Sequence, residues 1–120
     1  RNASGSNAAD AMIIIPCTMG TVGRIASGST SDLISRIAEV QLKERRRLVI
    51  VPRETPYSLI HLRNLLTLTE AGAIVAPASP SFYSNPSSLD DLTDQFADRI
   101  IAIAGISDIN PSNKWMSVWH

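Results

Sequence analysis

Arg53 and Glu54 have the type and the placement for anion and acid–base chemistry, as neighbours in Val51-Pro52-Arg53-Glu54-Thr55-Pro56. They follow Leu48-Val49-Ile50-Val51, four branched apolar residues of the kind needed by a strand covered on both faces. The prolines stop that strand and stiffen its exit. Cation and carboxylate therefore stand at a strand's carboxyl end, the edge at which open α/β sheets bind ligands. The alternative is an exposed turn with a weak ion pair.

A second candidate is Cys17-Thr18-Met19-Gly20-Thr21. It comes after the apolar run Met12-Ile13-Ile14-Ile15 and Pro16, and it leads into the helical-looking segment Val22 to Ala26. A strand, a turn of small and hydroxyl residues and a helix start can cradle an anion on backbone amides, although such turns also join strands to helices in many proteins. No histidine lies close in sequence to activate Cys17, which reads as a small buried residue rather than a nucleophile. Ser4, Gly5 and Ser6 offer hydroxyls and amides to a phosphate, or form a flexible connector. Arg36 and Lys43 are seven residues apart, so on a helix they project from nearly one face. They could present two cations to one anion, or lie solvated towards a helix's negative end.

The elements that must position these groups follow from periodicity. A strand is predicted over Ala11 to Ile15 and a helix from about Asp32 to Arg46, with Ser31 as its cap and an apolar stripe of Leu33, Ile37 and Val40 widened by Ile34 and Leu42. A second helix is predicted over Tyr57 to Ala71, with Leu59, Leu62, Leu65, Leu66 and Leu68 at helical spacing and Gly72 as the stop. His61 is a polar-face or packing residue there. Ala73 to Ala76 reads as a short buried strand, and Ser81-Phe82-Tyr83 as a loop that lids a site or packs down. Ser88 and Asp91 make a capping box for a last helix through Leu89, Leu92, Phe96, Ile100 and Ile103 to about Ala104. Arg99 is one step off that stripe, within reach of a neighbouring loop or a partner chain. The segment from Ile106 to His120, with Trp115 and Trp119, has no clear period and is expected to be a docking segment or a disordered end. Strand and helix alternate, which predicts one α/β domain with a mainly parallel sheet.

Composition removes several classes of function. At 120 residues and 44% hydrophobic, the chain can bury one core. Eleven basic and eleven acidic side chains cancel, so no global field draws it to nucleic acid or a membrane surface. One cysteine and two histidines offer no metal-ligand cluster of recognisable spacing and no internal disulfide, which points to a reducing cytoplasm. No apolar run approaches the roughly 18 residues of a membrane span.

Taken together, Pro16-Cys17-Thr18-Met19-Gly20-Thr21, Leu42-Lys43-Glu44-Arg45-Arg46, Val51 to Pro56 and Pro80-Ser81-Phe82-Tyr83 resemble, in order and spacing, the UbiX-type flavin prenyltransferases. The resemblance runs from Ala3 to Ile106, so residues 1–106 are expected to form a partial flavoprotein domain and 107–120 a tail outside it. It implies a flavodoxin-like fold that binds FMN. It also implies transfer of a dimethylallyl group from dimethylallyl phosphate to the reduced flavin, without a metal. The product, prenylated FMN, serves UbiD-type decarboxylases that act on aromatic and unsaturated acids, ubiquinone biosynthesis included. Older descriptions call the family an aromatic acid decarboxylase. By motif match, Arg36, Lys43, Arg53, Tyr83 and Arg99 would hold the donor phosphate and Glu54 would assist proton transfer. Ser4, Ser6, Cys17, Thr18, Thr21 and Arg53 would line the flavin. The family's dodecameric assembly implies that some of these residues serve a neighbouring subunit.

The chain departs from the family pattern at its start. Members begin with a strand and a Gly-rich phosphate-binding turn, and this sequence has neither, so the sheet is expected to lack its first strands. Thr18 stands where serine is usual and keeps the hydroxyl. Two rival readings share the fold, a non-catalytic flavin-binding or assembly subunit and a relative of the flavin-dependent cysteine decarboxylases. The asparagine–methionine motif and the suitable histidine of the latter are absent.

Overall fold

A computed structural model of the chain describes residues 9–79, 87–106 and 115–118. In chain order the elements are β1 (Ala11–Cys17), α1 (Met19–Ala26), α2 (Leu33–Lys43), β2 (Arg47–Pro52), α3 (Leu59–Glu70), β3 (Ile74–Val75), α4 (Leu89–Ile103) and β4 (Trp115–Val118). The strands form one sheet in the order β3-β2-β1-β4, and every pairing is parallel. In the register of the two central strands, Met12 lies beside Leu48 and Ile14 beside Ile50, with a shift between Ile14 and Cys17. Pro16 falls inside that irregular stretch, where the ladder does not need the N–H that proline lacks. The strand therefore continues through the proline predicted to end it.

Alternation along the strands divides the core in two. Met12, Ile14, Leu48 and Ile50 pack with Val22, Ile25, Ala38, Leu65 and Leu68 of α1, α2 and α3. On the other face Ala11, Ile13, Val49 and Val51 pack with Ile100 and Ala104 at the end of α4. Each large aliphatic side chain buried this way contributes about 1.5–3 kcal/mol. Leu48, Val49, Ile50 and Val51 are all 0% exposed, as a strand covered on both faces requires.

The helix faces differ from the predicted stripes. On α2 the buried residues are Ser35, Ala38 and Gln41, and Leu33 is 61% exposed. Small side chains let the helix approach the sheet closely. Gln41 is tolerated because it is satisfied, accepting from the Ala9 N–H at 2.8 Å and donating to the Arg47 carbonyl at 2.9 Å. On α3 only Leu65 and Leu68 are buried, so Leu59, Leu62 and Leu66 of the predicted stripe face outward. On α4 only Ile100 is buried.

Helix ends follow local hydrogen-bond chemistry. Asp32, not Ser31, caps α2, because its carboxylate accepts from the Ser35 N–H at 2.7 Å while Ser31 is engaged with Ser29. The helix stops at Lys43 rather than Arg46. Arg45 turns left-handed at φ 57° and the Arg46 N–H closes onto the Gln41 carbonyl at 2.8 Å, a 6→1 closure usually made with glycine. Gly72 and Gly105, at φ 110° and 80°, end α3 and α4 in the more usual way. Ser58 and His61 cap each other reciprocally at the start of α3, which gives His61 a structural role. Ser88 caps α4, and Asp91 reaches back to the N–H of Ser87 rather than that of Ser88. The aperiodic segment after Ile106 supplies β4, which pairs along β1 from Ala11↔Trp115 to Ile14↔Val118.

Candidate functional site at the carboxyl edge of the sheet

The carboxyl ends of β1 and β2 present the two groups of residues expected to do chemistry. At the end of β1, Thr18 caps α1, which begins at Met19, three residues earlier than the apolar pattern indicates. Thr18 Oγ1 accepts from the Thr21 N–H at 3.2 Å and donates to Thr21 Oγ1 at 3.1 Å. The Thr21 side chain is fully buried and its hydroxyl oxygen also accepts from Arg24 Nη2 at 2.9 Å. The N–H groups of Met19 and Gly20, first in the helix, have no intrahelical acceptor. Beside the exposed Thr18, they form a dipole-assisted seat of N–H donors that fits the carbonyl or phosphate oxygens of a flavin nucleotide.

Cys17 is 2% exposed, and its Sγ lies 3.6 Å from the Thr18 carbonyl. Burial pushes its thiol up to about 12, against a smaller downward pull from Arg24. It stays protonated at neutral pH and packs as an apolar wall, not as a nucleophile.

At the end of β2, Arg53 and Glu54 are exposed immediately beyond the buried Pro52. The backbone after β3 runs alongside, with the Ala76 N–H donating to Ile50 at 2.8 Å and the Ala78 N–H to Pro52 at 2.9 Å. Among the described residues neither Arg53 nor Glu54 has an ion pair or hydrogen bond. Both lie exposed in the turn, as the exposed-turn alternative expects, but the weak ion pair of that alternative does not form. Between the backbone after β3 and α4 is a cavity of about 510 Å³, lined by apolar Ala76, Pro77, Phe96, Ile100 and Ile103 and by polar Ser79, Gln95 and Arg99. Its wall is mostly apolar with a guanidinium, an amide and a hydroxyl, a combination suited to a short hydrocarbon carrying an anionic group.

Arg36 lies in the first turn of α2, exposed. Lys43, also exposed, is the last residue of that helix, about 10 Å further along its axis. It is four residues from Arg47 at the opening of β2, so it stands at the amino edge of the sheet and pairs there with Glu44 at 3.8 Å. The two cations share a helix face but not an end of the sheet. Ser4, Ser6 and Tyr83 lie outside the described residues. No cluster of metal-ligating side chains occurs among the described residues.

Arg24 is the residue that the sequence reading passed over. Besides Thr21 it engages Asp32, the cap of α2, with Nε 3.0 Å from Oδ2. The available signal was its spacing of three from Thr21 on a helix.

A family model described as Flavoprotein matches residues 2–101. The chain belongs to the Flavoprotein family. Among its curated relatives, the flavin prenyltransferase UbiX of Pseudomonas aeruginosa is 52% identical over 104 residues, covering 87% of this chain and 50% of that protein. The flavin prenyltransferase UbiX of Thermoplasma acidophilum is 50% identical over 105 residues, covering 88% and 58%. Among solved structures, AnUbiX in complex with FMN and dimethylallyl pyrophosphate matches with a TM-score of 0.81 at 51% identity, covering 93% of this chain and 61% of that one. A dodecameric FMN-dependent UbiX-like decarboxylase from Escherichia coli O157:H7 matches at a TM-score of 0.79 and 44% identity, covering 85% and 56%. The expected resemblance and flavodoxin-like fold are thus both found. This flavoprotein chain spans about half the length of the curated relatives it matches.

Proposed function

We propose that the chain is the flavin- and donor-binding part of a flavin prenyltransferase, which joins a dimethylallyl group from dimethylallyl phosphate to reduced FMN. The observation that carries this reading is that the Thr18-capped helix start and Arg53 with Glu54, which have no partners among the described residues, share the carboxyl edge of the sheet, with the Arg99 cavity between the backbone after β3 and α4. AnUbiX, similar over 93% of this chain, holds FMN and a dimethylallyl donor.

Reduced FMN, when bound, supplies the electron-rich ring that the allyl group joins. The chain's own residues supply the rest. Thr18, Thr21 and the wall of Cys17 seat the flavin, with Ser4, Ser6 and Arg53. Arg53, Arg99, Arg36 and Tyr83 take the charge of the departing phosphate, each charge-assisted hydrogen bond contributing about 1.5–3 kcal/mol. That charge uptake needs no metal. Glu54, held next to Arg53 by a buried strand, moves a proton at its carboxylate oxygens. Lys43, at the opposite edge of its own sheet, serves the phosphate in a neighbouring copy's site, which fits an oligomer of the dodecameric kind. The product passes to a UbiD-type decarboxylase in the cytoplasm.

The test is anaerobic incubation of the purified protein with reduced FMN and dimethylallyl phosphate, with mass spectrometry of the released flavin. A mass increase equal to the added prenyl group supports the reading. Tight FMN binding without any adduct would make the chain a flavin-binding subunit instead.

A further inference from the structure

We propose that Arg24 is a positioning residue of the flavin seat, fixing the Thr18–Thr21 hydroxyl pair through its guanidinium; this rests on the flavin-binding role proposed above for that turn. Three features place it there. Nη2 donates to Thr21 Oγ1 at 2.9 Å, while Nε forms an ion pair 3.0 Å from Asp32 Oδ2 without the alignment of a hydrogen bond, so one planar group spans the first turn of α1 and the cap of α2. The far side of the guanidinium lies over Gly20, with Nη1 3.5 Å from where a Cβ at that position would stand. Residue 20 has no side chain to contest the space, and the outer flank of the helix start is arginine. Finally, the charge acts at this turn, since it pulls the Cys17 thiol down against burial.

The chemical consequence concerns Thr18. Its hydroxyl donates to Thr21 Oγ1, the oxygen onto which Arg24 also donates, and its own oxygen accepts from the Thr21 N–H. With its proton committed to Thr21, Thr18 meets a ligand as an acceptor, which suits a ligand N–H. Arg24 maintains that polarity by keeping Thr21 Oγ1 in place as an acceptor. The guanidinium reaches Thr21 through Nη2 and Asp32 through Nε at once. A lysine, a point charge without the fork, would not substitute for it.

The experiment is a double-mutant cycle in the full chain, with FMN as the probe and flavin fluorescence as the reading. Arg24→Met is expected to weaken FMN binding about tenfold, the worth of one charge-assisted hydrogen bond, and to shift the visible absorption band of bound FMN. Arg24→Lys is expected to weaken it nearly as much. In a Thr21→Val background, Arg24→Met is expected to change the dissociation constant less than about twofold, because the group it acts through is gone. An equal loss in both backgrounds, rescue by lysine, or an unshifted absorption band would overturn the positioning role. Failure of the unsubstituted chain to bind FMN would sink the flavin reading itself, and this proposal with it. Normal binding by Arg24→Met would sink only the role of Arg24.

Discussion

The two edges of the sheet both carry arginines, but in opposite states of engagement. At the amino edge Arg46 pairs with Asp10 at 3.7 Å, Arg47 donates to the Ile103 carbonyl at 3.0 Å, and the Arg47 carbonyl is itself held by Gln41. These cations lie where α2 and α4 end, and they answer the negative ends of helices. At the carboxyl edge Arg53 and Glu54 extend from a rigid strand end without partners among the described residues. Arg46 and Arg47 are thus held by the fold at one edge, while Arg53 at the other has no partner among the described residues.

Breaking the carboxyl edge should have the largest effect. Glu54→Gln keeps shape and hydrogen bonding but cannot exchange a proton, so turnover is expected to fall about 10²–10⁴-fold with FMN binding retained. Single-turnover absorbance of reduced flavin measures this. Unchanged prenylation would reduce Glu54 to a surface residue and erase the contrast between the edges.

Breaking the amino edge should show in stability instead. Gln41→Leu leaves the Ala9 N–H and the Arg47 carbonyl without their buried partner, a loss of about 1–3 kcal/mol readable by urea titration. A variant as stable as the parent would show that water replaces both bonds.

The buried Cys17 at the end of β1 has its own signature in pH. The folded Cys17 thiol holds its proton to about 12, whereas the exposed thiol ionises from 9.0. The unfolded chain therefore loses this proton first. The stability tied to Cys17 is complete below pH 9.0 and is lost as pH rises towards about 12, at up to about 1.4 kcal/mol per pH unit. Cys17→Ser should flatten that alkaline slope, and native Cys17 should resist disulfide reagents at neutral pH.

The smallest expected effect sharpens the comparison from the other side. Arg46 and Asp10 are 53% and 57% exposed, so Arg46→Ala should change stability by less than about 0.5 kcal/mol and leave activity unaltered. A large loss there would mean that the amino edge does more than close helix ends.

Much of this was legible in the sequence, for identifiable reasons. Leu48 to Val51 could only be a two-sided strand, and Pro52 delivered Arg53 and Glu54 to its end. The helix faces were not legible, because hydrophobicity marks what prefers to be buried and not how closely two elements approach. In α2 the approach is made by Ser35 and Ala38, and the buried Gln41 exists for two backbone groups that periodicity cannot reveal. Arg24 was hidden for the same reason, since its ion pair with Asp32 reaches the cap of another helix. The matched motifs named residues but not their distribution over the edges, as Lys43 shows.

The outermost strand on one side, β3, is only two residues long and is followed within two residues by Pro77. A sheet border normally offers a row of unpaired amides and carbonyls on which another chain can template itself. Here that row is too short to register a foreign strand, and the proline removes the next donor. So brief a border guards against fibrous association along this edge.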